Sequence, residues 1–160
     1  MIAVYCLSHT VAILQTAAMA HRSSYEKALF LLFFLILVRC AMLWQHLADY
    51  MMRHRGKRIA RDIHSRMTWR GLLISAVANA TIAAAFFWIT PFTPWQAAIA
   101  GSLISISSVF GRLVMRGITH SLGVRDWASL TGGQQGVLDR LDALLYAAPV
   151  LFHYTILVTS

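Results

Sequence analysis

Between Gly71 and Gly111 the chain carries no Asp, Glu, Lys or Arg, and apolar and small residues run almost unbroken across it. A soluble domain interleaves charge at about one residue in four. Here, of 160 residues, 12% are charged and 58% hydrophobic. A single water-soluble core of this length cannot enclose so much apolar surface and keep a wettable exterior. The same figures exclude a disordered chain, and the two cysteines, Cys6 and Cys40, are too few for a disulfide scaffold. Both lie in apolar stretches, where a reduced thiol behaves as a small hydrophobe. The chain reads as an integral membrane protein forming one domain over residues 1–160.

Five apolar stretches approach the roughly 20 residues that a bilayer core requires. They cover approximately 2–20, 28–50, 71–90, 95–118 and 137–157. The expected class is all-α: a polytopic helical bundle with about five transmembrane helices. The first stretch is interrupted by Ser8, His9, Thr10 and Gln15, and the second runs apolar from Ala28 to Val38 before meeting Arg39. Thr90-Pro91-Phe92-Thr93-Pro94 closes the third as a short loop. The fourth carries small residues at Ala97, Gly101, Ser105 and Ser108. That stripe predicts close helix packing inside the bundle, with a homodimer seam as the alternative. The opening Met1 to Tyr5 lacks the basic region of a secretory signal and is expected to be retained.

The net charge of +8 is unevenly placed. Arg53, Arg55, Lys57, Arg58, Arg61, Arg66 and Arg70 are half of the 14 basic residues and share the segment 53–70. Between two apolar stretches, such a segment marks a cytoplasmic loop and argues against nucleic acid as the partner. The N-terminus, 53–70 and 119–136 are then cytoplasmic, and the C-terminus lies opposite, in an inner or plasma membrane. The basic run attracts anionic lipids electrostatically. Arg39, halfway along its helix, is a functional candidate, with a carboxylate inside the bundle or a lipid headgroup as its partner. Arg112, Arg116 and His120 stand four apart on one helix face, placed for a lipid phosphate or for interfacial snorkelling. Asp139 and Asp142 share a face just after Gly136, where carboxylates favour a helix N-terminus. Arg125-Asp126 suits either a nucleotide contact or solvent. The histidines show no metal-ligand spacing, and no Ser-His-Asp arrangement is present.

Residues 111–142 end in Gly132-Gly133-Gln134-Gln135-Gly136-Val137-Leu138-Asp139-Arg140-Leu141-Asp142. This segment resembles the C-terminal signature of the phosphatidate cytidylyltransferases, or CDP-diacylglycerol synthases. Their pattern runs Gly-Asp, Ser, Lys-Arg, Lys-Asp, Pro-Gly-His-Gly-Gly and Asp-Arg-x-Asp. The spacing is kept, the last element is intact, and Ala147 to Phe152 resembles the family's final helix. Upstream, Tyr50, Gly56 and Thr68-Trp69-Arg70-Gly71 fall at further family positions. The resemblance spans nearly all of this chain and about the C-terminal half of a full-length member, leaving out the family's N-terminal helices.

The resemblance implies transfer of CTP's cytidylyl group to phosphatidate, with Mg2+ and cationic groups neutralising charge at the reacting phosphates. It implies a metal role for Asp139 and phosphate or nucleotide contacts for Arg125, Asp126, Gly133 and Gly136, with Arg140 and Asp142 retained beside them. The departures fall at costly places. Arg112 stands for the first metal-binding Asp, Arg116 for the Ser, and Thr119-His120 for Lys-Arg. The loop His is replaced in Gly132 to Gly136. Leu43, Trp44, Gln45 and His46 occupy acidic positions near the end of the second helix, and His64 to Thr68 lacks the family's Pro and Lys. An Arg cannot ligate a cation, so the expectation is a non-catalytic relative in which Arg112 pairs with Asp139. It needs no cofactor, binds lipid through Arg39, Arg112, Arg116 and His120, and acts beside another membrane protein or a second copy. The alternative is an active, Mg2+-dependent cytidylyltransferase completed by another chain.

Overall fold

The computed structural model describes residues 2–16, 21–51, 58–60, 64–121 and 135–159. Among the described residues there are five α-helices: α1 (Ile2–Ile13), α2 (Ser24–Met51), α3 (Trp69–Ala85), α4 (Pro94–Ser121) and α5 (Gln135–Thr159). Two short strands, β1 (Arg58–Ala60) and β2 (His64–Thr68), pair antiparallel with an irregularity between Arg58 and Ala60. The basic segment, expected as a plain loop, thus carries a small ribbon, and Thr68 at its end caps α3. The architecture is the expected all-helical bundle.

Local chemistry sets the helix ends. Ser23 and Glu26 form a capping box: Ser23 N donates to Glu26 Oε2 at 2.8 Å, and Glu26 N donates to Ser23 Oγ at 3.3 Å. This box, braced by an Arg22–Glu26 ion pair of 3.2 Å, starts α2 four residues ahead of its apolar run. The first helix is shorter than the apolar stretch suggests. Beyond Ile13 the hydrogen bonds tighten to i→i−3, Gln15 N to Ala12 O at 3.0 Å, and the Thr16 hydroxyl closes onto Ile13 O at 2.8 Å. Twelve helical residues extend about 18 Å against a hydrocarbon core of about 30 Å. Among the described residues two helices, Ser24–Met51 and Pro94–Ile118, are long and apolar enough to cross a membrane; α3 and the apolar part of α5, Ala143–Val158, are shorter.

The turn between α3 and α4 forms where Pro91 and Pro94 require it. Phe87–Ile89 make one 3-10 turn, Thr90 Oγ1 donates to Phe87 O at 2.8 Å, and Thr93 N donates to Gln96 Oε1 at 3.0 Å. Pro94 then occupies the first helical position, where its missing N–H costs nothing.

Helices α2, α3 and α4 pack against one another, α5 lies on α4, and α1 lies on α5. The apolar core is built around Phe30, Phe34, Leu37, Val38, Ile104 and Leu151. The small-residue stripe is internal. Ala97, Ser105 and Ser108 are buried, and a Cβ on Gly101 would meet Asn79 O and Ala83 Cβ at 2.7 Å. The homodimer alternative for that stripe therefore falls, because α3 already occupies it. Outside, Leu32, Ile36, Leu43, Leu47, Leu73 and Val77 are exposed. So apolar an exterior fits a bundle solvated by lipid.

Candidate functional site

Towards the ribbon end, polar side chains collect inside the bundle. Asp49, in the last turn of α2, is the hub. Its Oδ2 accepts from Gln45 Nε2 at 3.0 Å, and its Oδ1 accepts from Thr68 N at 3.0 Å and Thr68 Oγ1 at 2.7 Å. Thr68 Oγ1 in turn accepts from Gly71 N at 3.1 Å as the N-cap of α3. A carboxylate here complements the positive end of the α3 dipole. The approach requires glycine at 71, because a Cβ there would lie 2.5 Å from Asp49 Oδ1 and 2.7 Å from Gln45 Nε2.

One turn further in, Ser75 Oγ donates to Ala41 O at 2.8 Å and lies 2.7 Å from Ser105 Oγ, joining all three helices. Another turn on, Asn79 Nδ2 donates to Gly101 O at 3.0 Å. Among the described residues, the buried oxygens Gln45 Oε1, Asn79 Oδ1 and Ser108 Oγ along this seam have no hydrogen-bond partner. Buried polar oxygens of this kind normally take water or a ligand.

Arg112 enters the same end from α4. It is 5% exposed, and its Nη1 lies 2.8 Å from His46 Nε2. A guanidinium only donates, so His46 Nε2 is the acceptor and its ring proton sits on Nδ1. Arg116 is half-buried and His120 exposed, so the three-residue face leaves the interior towards the helix end and only Arg112 belongs to the core. Arg39, expected to meet a carboxylate inside the bundle or a lipid headgroup, is exposed on α2. Gly136 lies in the first turn of α5. Asp139, Arg140 and Asp142 lie on α5, but their side chains fall outside the described residues, as does the expected Arg112–Asp139 pair. Arg125, Asp126 and Gly133 fall outside them entirely.

Asp49 escaped the sequence reading. The available signal was an acid four residues after a Gln on an otherwise apolar helix, a spacing that puts both on one face. Asn79 and Ser75 carried the same kind of signal on the Ala-rich α3.

Fold and site define a class: a helical membrane bundle with an apolar exterior and a buried polar seam running in from the ribbon end. Within that class, the chain belongs to the cytidylyltransferase family, whose profile matches residues 1–158. It is 44% identical over 66 residues to the uncharacterized protein YnbB of Escherichia coli, covering 41% of this chain and 22% of that protein. It is 35% identical over 88 residues to the phosphatidate cytidylyltransferase of Mycobacterium tuberculosis H37Rv, covering 54% of this chain and 26% of the relative. The Synechocystis phosphatidate cytidylyltransferase is 28% identical over 105 residues, 64% of this chain and 36% of the relative. The chain thus spans between 22% and 36% of the length of these relatives. No solved structure matches it.

Proposed function

We propose that this family member is catalytically degenerate and acts as a lipid-binding module or accessory subunit of a membrane complex. The observation that carries the reading is Arg112: a buried guanidinium, engaged by His46, at the position where the resemblance puts a metal-binding Asp. A hard divalent cation needs several oxygen ligands, and a guanidinium offers only donors and like charge. Both Asp49 oxygens already accept from Gln45 and Thr68. Among the described residues no cluster of three or more His, Cys, Asp or Glu is placed to hold a metal. Asp139, the carboxylate that the resemblance ties to magnesium, has its side chain outside the described residues.

The same chemistry favours an anion. Arg112, Arg116 and His120 form a ladder from the interior to the helix end, and Arg39 faces outward from α2. Arginine recognises phosphate oxygens through paired donors, and a charge in a low-dielectric bundle is screened little by salt. A phospholipid headgroup reaching inward along α4 meets that ladder. In this reading Asp139 pairs with Arg112 instead of a metal, and Arg140 and Asp142 flank it. Nucleotide or phosphate contacts at Arg125, Asp126, Gly133 and Gly136 stay part of the proposal. Another membrane protein or a second copy completes the assembly at the inner or plasma membrane.

The test is CDP-diacylglycerol formation from phosphatidate and labelled CTP with magnesium, run on detergent-purified wild type and Asp139→Asn. No turnover in either folded sample is the expected result. Turnover in wild type that disappears in Asp139→Asn overturns the reading and makes the chain a working cytidylyltransferase. Lipid binding is checked separately: Arg112→Gln should weaken retention of phosphatidate relative to phosphatidylcholine by about tenfold, the equivalent of one charge-assisted contact.

A further inference from the structure

The middle of α2 carries a charge on the outside of the bundle. Helices α2 and α3 run antiparallel, since Asp49 bonds Thr68 at one level and Ala41 accepts from Ser75 at another. Arg39, two residues further from the ribbon than Ala41, is therefore level with Val77, the centre of Trp69–Ala85. That leaves about 12 Å of α3 on either side of it. Exposed aromatic side chains mark both ends of the same interval, Tyr50 and Trp69 towards the ribbon and Phe87, Trp88 and Trp95 at the turn. Such residues sit at the two membrane–water interfaces, so Arg39 falls near the middle of the apolar layer. Its side chain is exposed, and it has no ion-pair partner among the described residues.

A cation at that depth is costly unless it is paired. Arginines near a helix end snorkel to the headgroups, whereas one at mid-span faces a polar cavity or meets an opposite charge. The core side is closed to Arg39, because Leu37, Val38, Ala41 and Met42 fill that face of α2. On the outer face Leu32, Ile36, Arg39, Leu43 and Leu47 recur every three or four residues and all are exposed, the spacing of a helix-packing seam. We propose that this face of α2 docks a transmembrane helix of another protein, one that carries a carboxylate at mid-span opposite Arg39. A second copy of this chain does not meet the need. Its six acids are Glu26, Asp49, Asp62, Asp126, Asp139 and Asp142. Glu26 and Asp49 lie in the end turns of α2, and the other four lie in the basic segment or before the apolar part of α5, so none stands at mid-span. A headgroup phosphate is about half of a 30 Å core away. One charge in an otherwise apolar seam sets register and selects the partner, because a helix without the carboxylate leaves the guanidinium unpaired in lipid. The inference rests on the accessory-subunit reading for the existence of a partner, and adds the surface that receives it and the chemistry that recognises it.

The probe is a synthetic polyleucine helix of about 20 residues with lysine flanks and one central Glu, beside a matched peptide with Leu at the centre. Energy transfer is read between the labelled full chain and each labelled peptide in phosphatidylcholine vesicles. Wild type is expected to bind the Glu peptide about tenfold more tightly than the Leu peptide, the scale of one interhelical polar contact in lipid. Arg39→Leu should erase that preference and Arg39→Lys should keep part of it. Lys27→Gln, which removes a cation near the start of the same helix, should leave it intact. Circular dichroism and thermal unfolding establish that each variant is folded. No CTP or phosphatidate is present, so the result is separate from the turnover assay: a working cytidylyltransferase would overturn the degenerate reading and leave the Glu preference standing. Equal binding of the two peptides by wild type, or an undiminished preference in folded Arg39→Leu, overturns the proposal. Energy transfer between two copies of the chain that Arg39→Leu abolishes gives the face to a second copy and overturns it as well. A Glu preference that disappears when phosphatidylglycerol is added to the vesicles gives Arg39 to a headgroup, with the same consequence.

Discussion

Asp49 shows how much one side chain can settle. Its carboxylate joins the last turn of α2 to the cap of α3, and it does so only because residue 71 has no Cβ. Gly71→Ala should therefore destabilise the bundle by about 1–3 kcal/mol through overpacking against Asp49 and Gln45, read as a lower thermal midpoint in detergent. Asp49→Asn replaces one accepting oxygen with an amide donor facing Gln45 Nε2 or Thr68 N. A loss of about 1–3 kcal/mol is expected from the donor left unmatched, and an unchanged midpoint would show that the hub is not structural. The residue-scale lesson of Arg112 is different. The resemblance puts Arg112 at an acidic position of the motif, but its burial and its contact with His46 depend on α2 lying alongside α4.

Among the elements, helix existence was legible almost throughout and helix ends were not. Five apolar stretches became five helices. The start of α2 was set by Ser23 and Glu26, a capping box that an apolar-run criterion passes over. Glu26→Ala should cost about 1 kcal/mol, within the range for lost caps, and should speed amide exchange in the first turn of α2 while leaving α4 unchanged. At the other extreme, α1 stops at Ile13 although the apolar composition continues, because Thr16 and the tightened turn bond back onto it. The small stripe on α4 was visible as a pattern, but whether it faces another copy or another helix of the same chain is a question of tertiary contact. Gly101 sits so close to α3 that a larger residue should push the two helices apart. Gly101→Leu is expected to destabilise the monomer by more than about 2 kcal/mol, with no change in oligomeric state by light scattering.

For the whole molecule, the apolar exterior and the concentration of arginine and lysine at 53–70 make a single topological expectation. It is that the ribbon end faces the cytoplasm and the Pro91–Pro94 turn faces away. With Cys6 and Cys40 changed to serine, Thr93→Cys should react with a membrane-impermeant thiol reagent on intact cells, and Arg66→Cys only after permeabilisation. The reverse pattern would invert the bundle and place the Arg112 ladder on the far side. The two ends of the molecule also differ in chemistry. One gathers Asp49, Thr68, Ser75 and Arg112 into a polar seam, and the other carries the exposed Phe87, Trp88 and Trp95 and the His9–His153 pair. Aromatic residues at an exposed turn suit the membrane–water interface.

The amino-acid sequence by itself determined the class of fold, because hydropathy and the cost of unpaired backbone in lipid leave helices as the available solution for spans of this composition. It also determined the family likeness, through a spacing of glycines, charges and the intact Asp139-Arg140-Leu141-Asp142 that survives substitution at individual positions. Only the tertiary structure decided which polar residues meet. Asp49 with Thr68, Ser75 with Ser105, Arg112 with His46 and His9 with His153 each join different elements. The physical reason is that periodicity reports which face of a helix a residue occupies, whereas a site depends on which other helix lies opposite that face, and at what height.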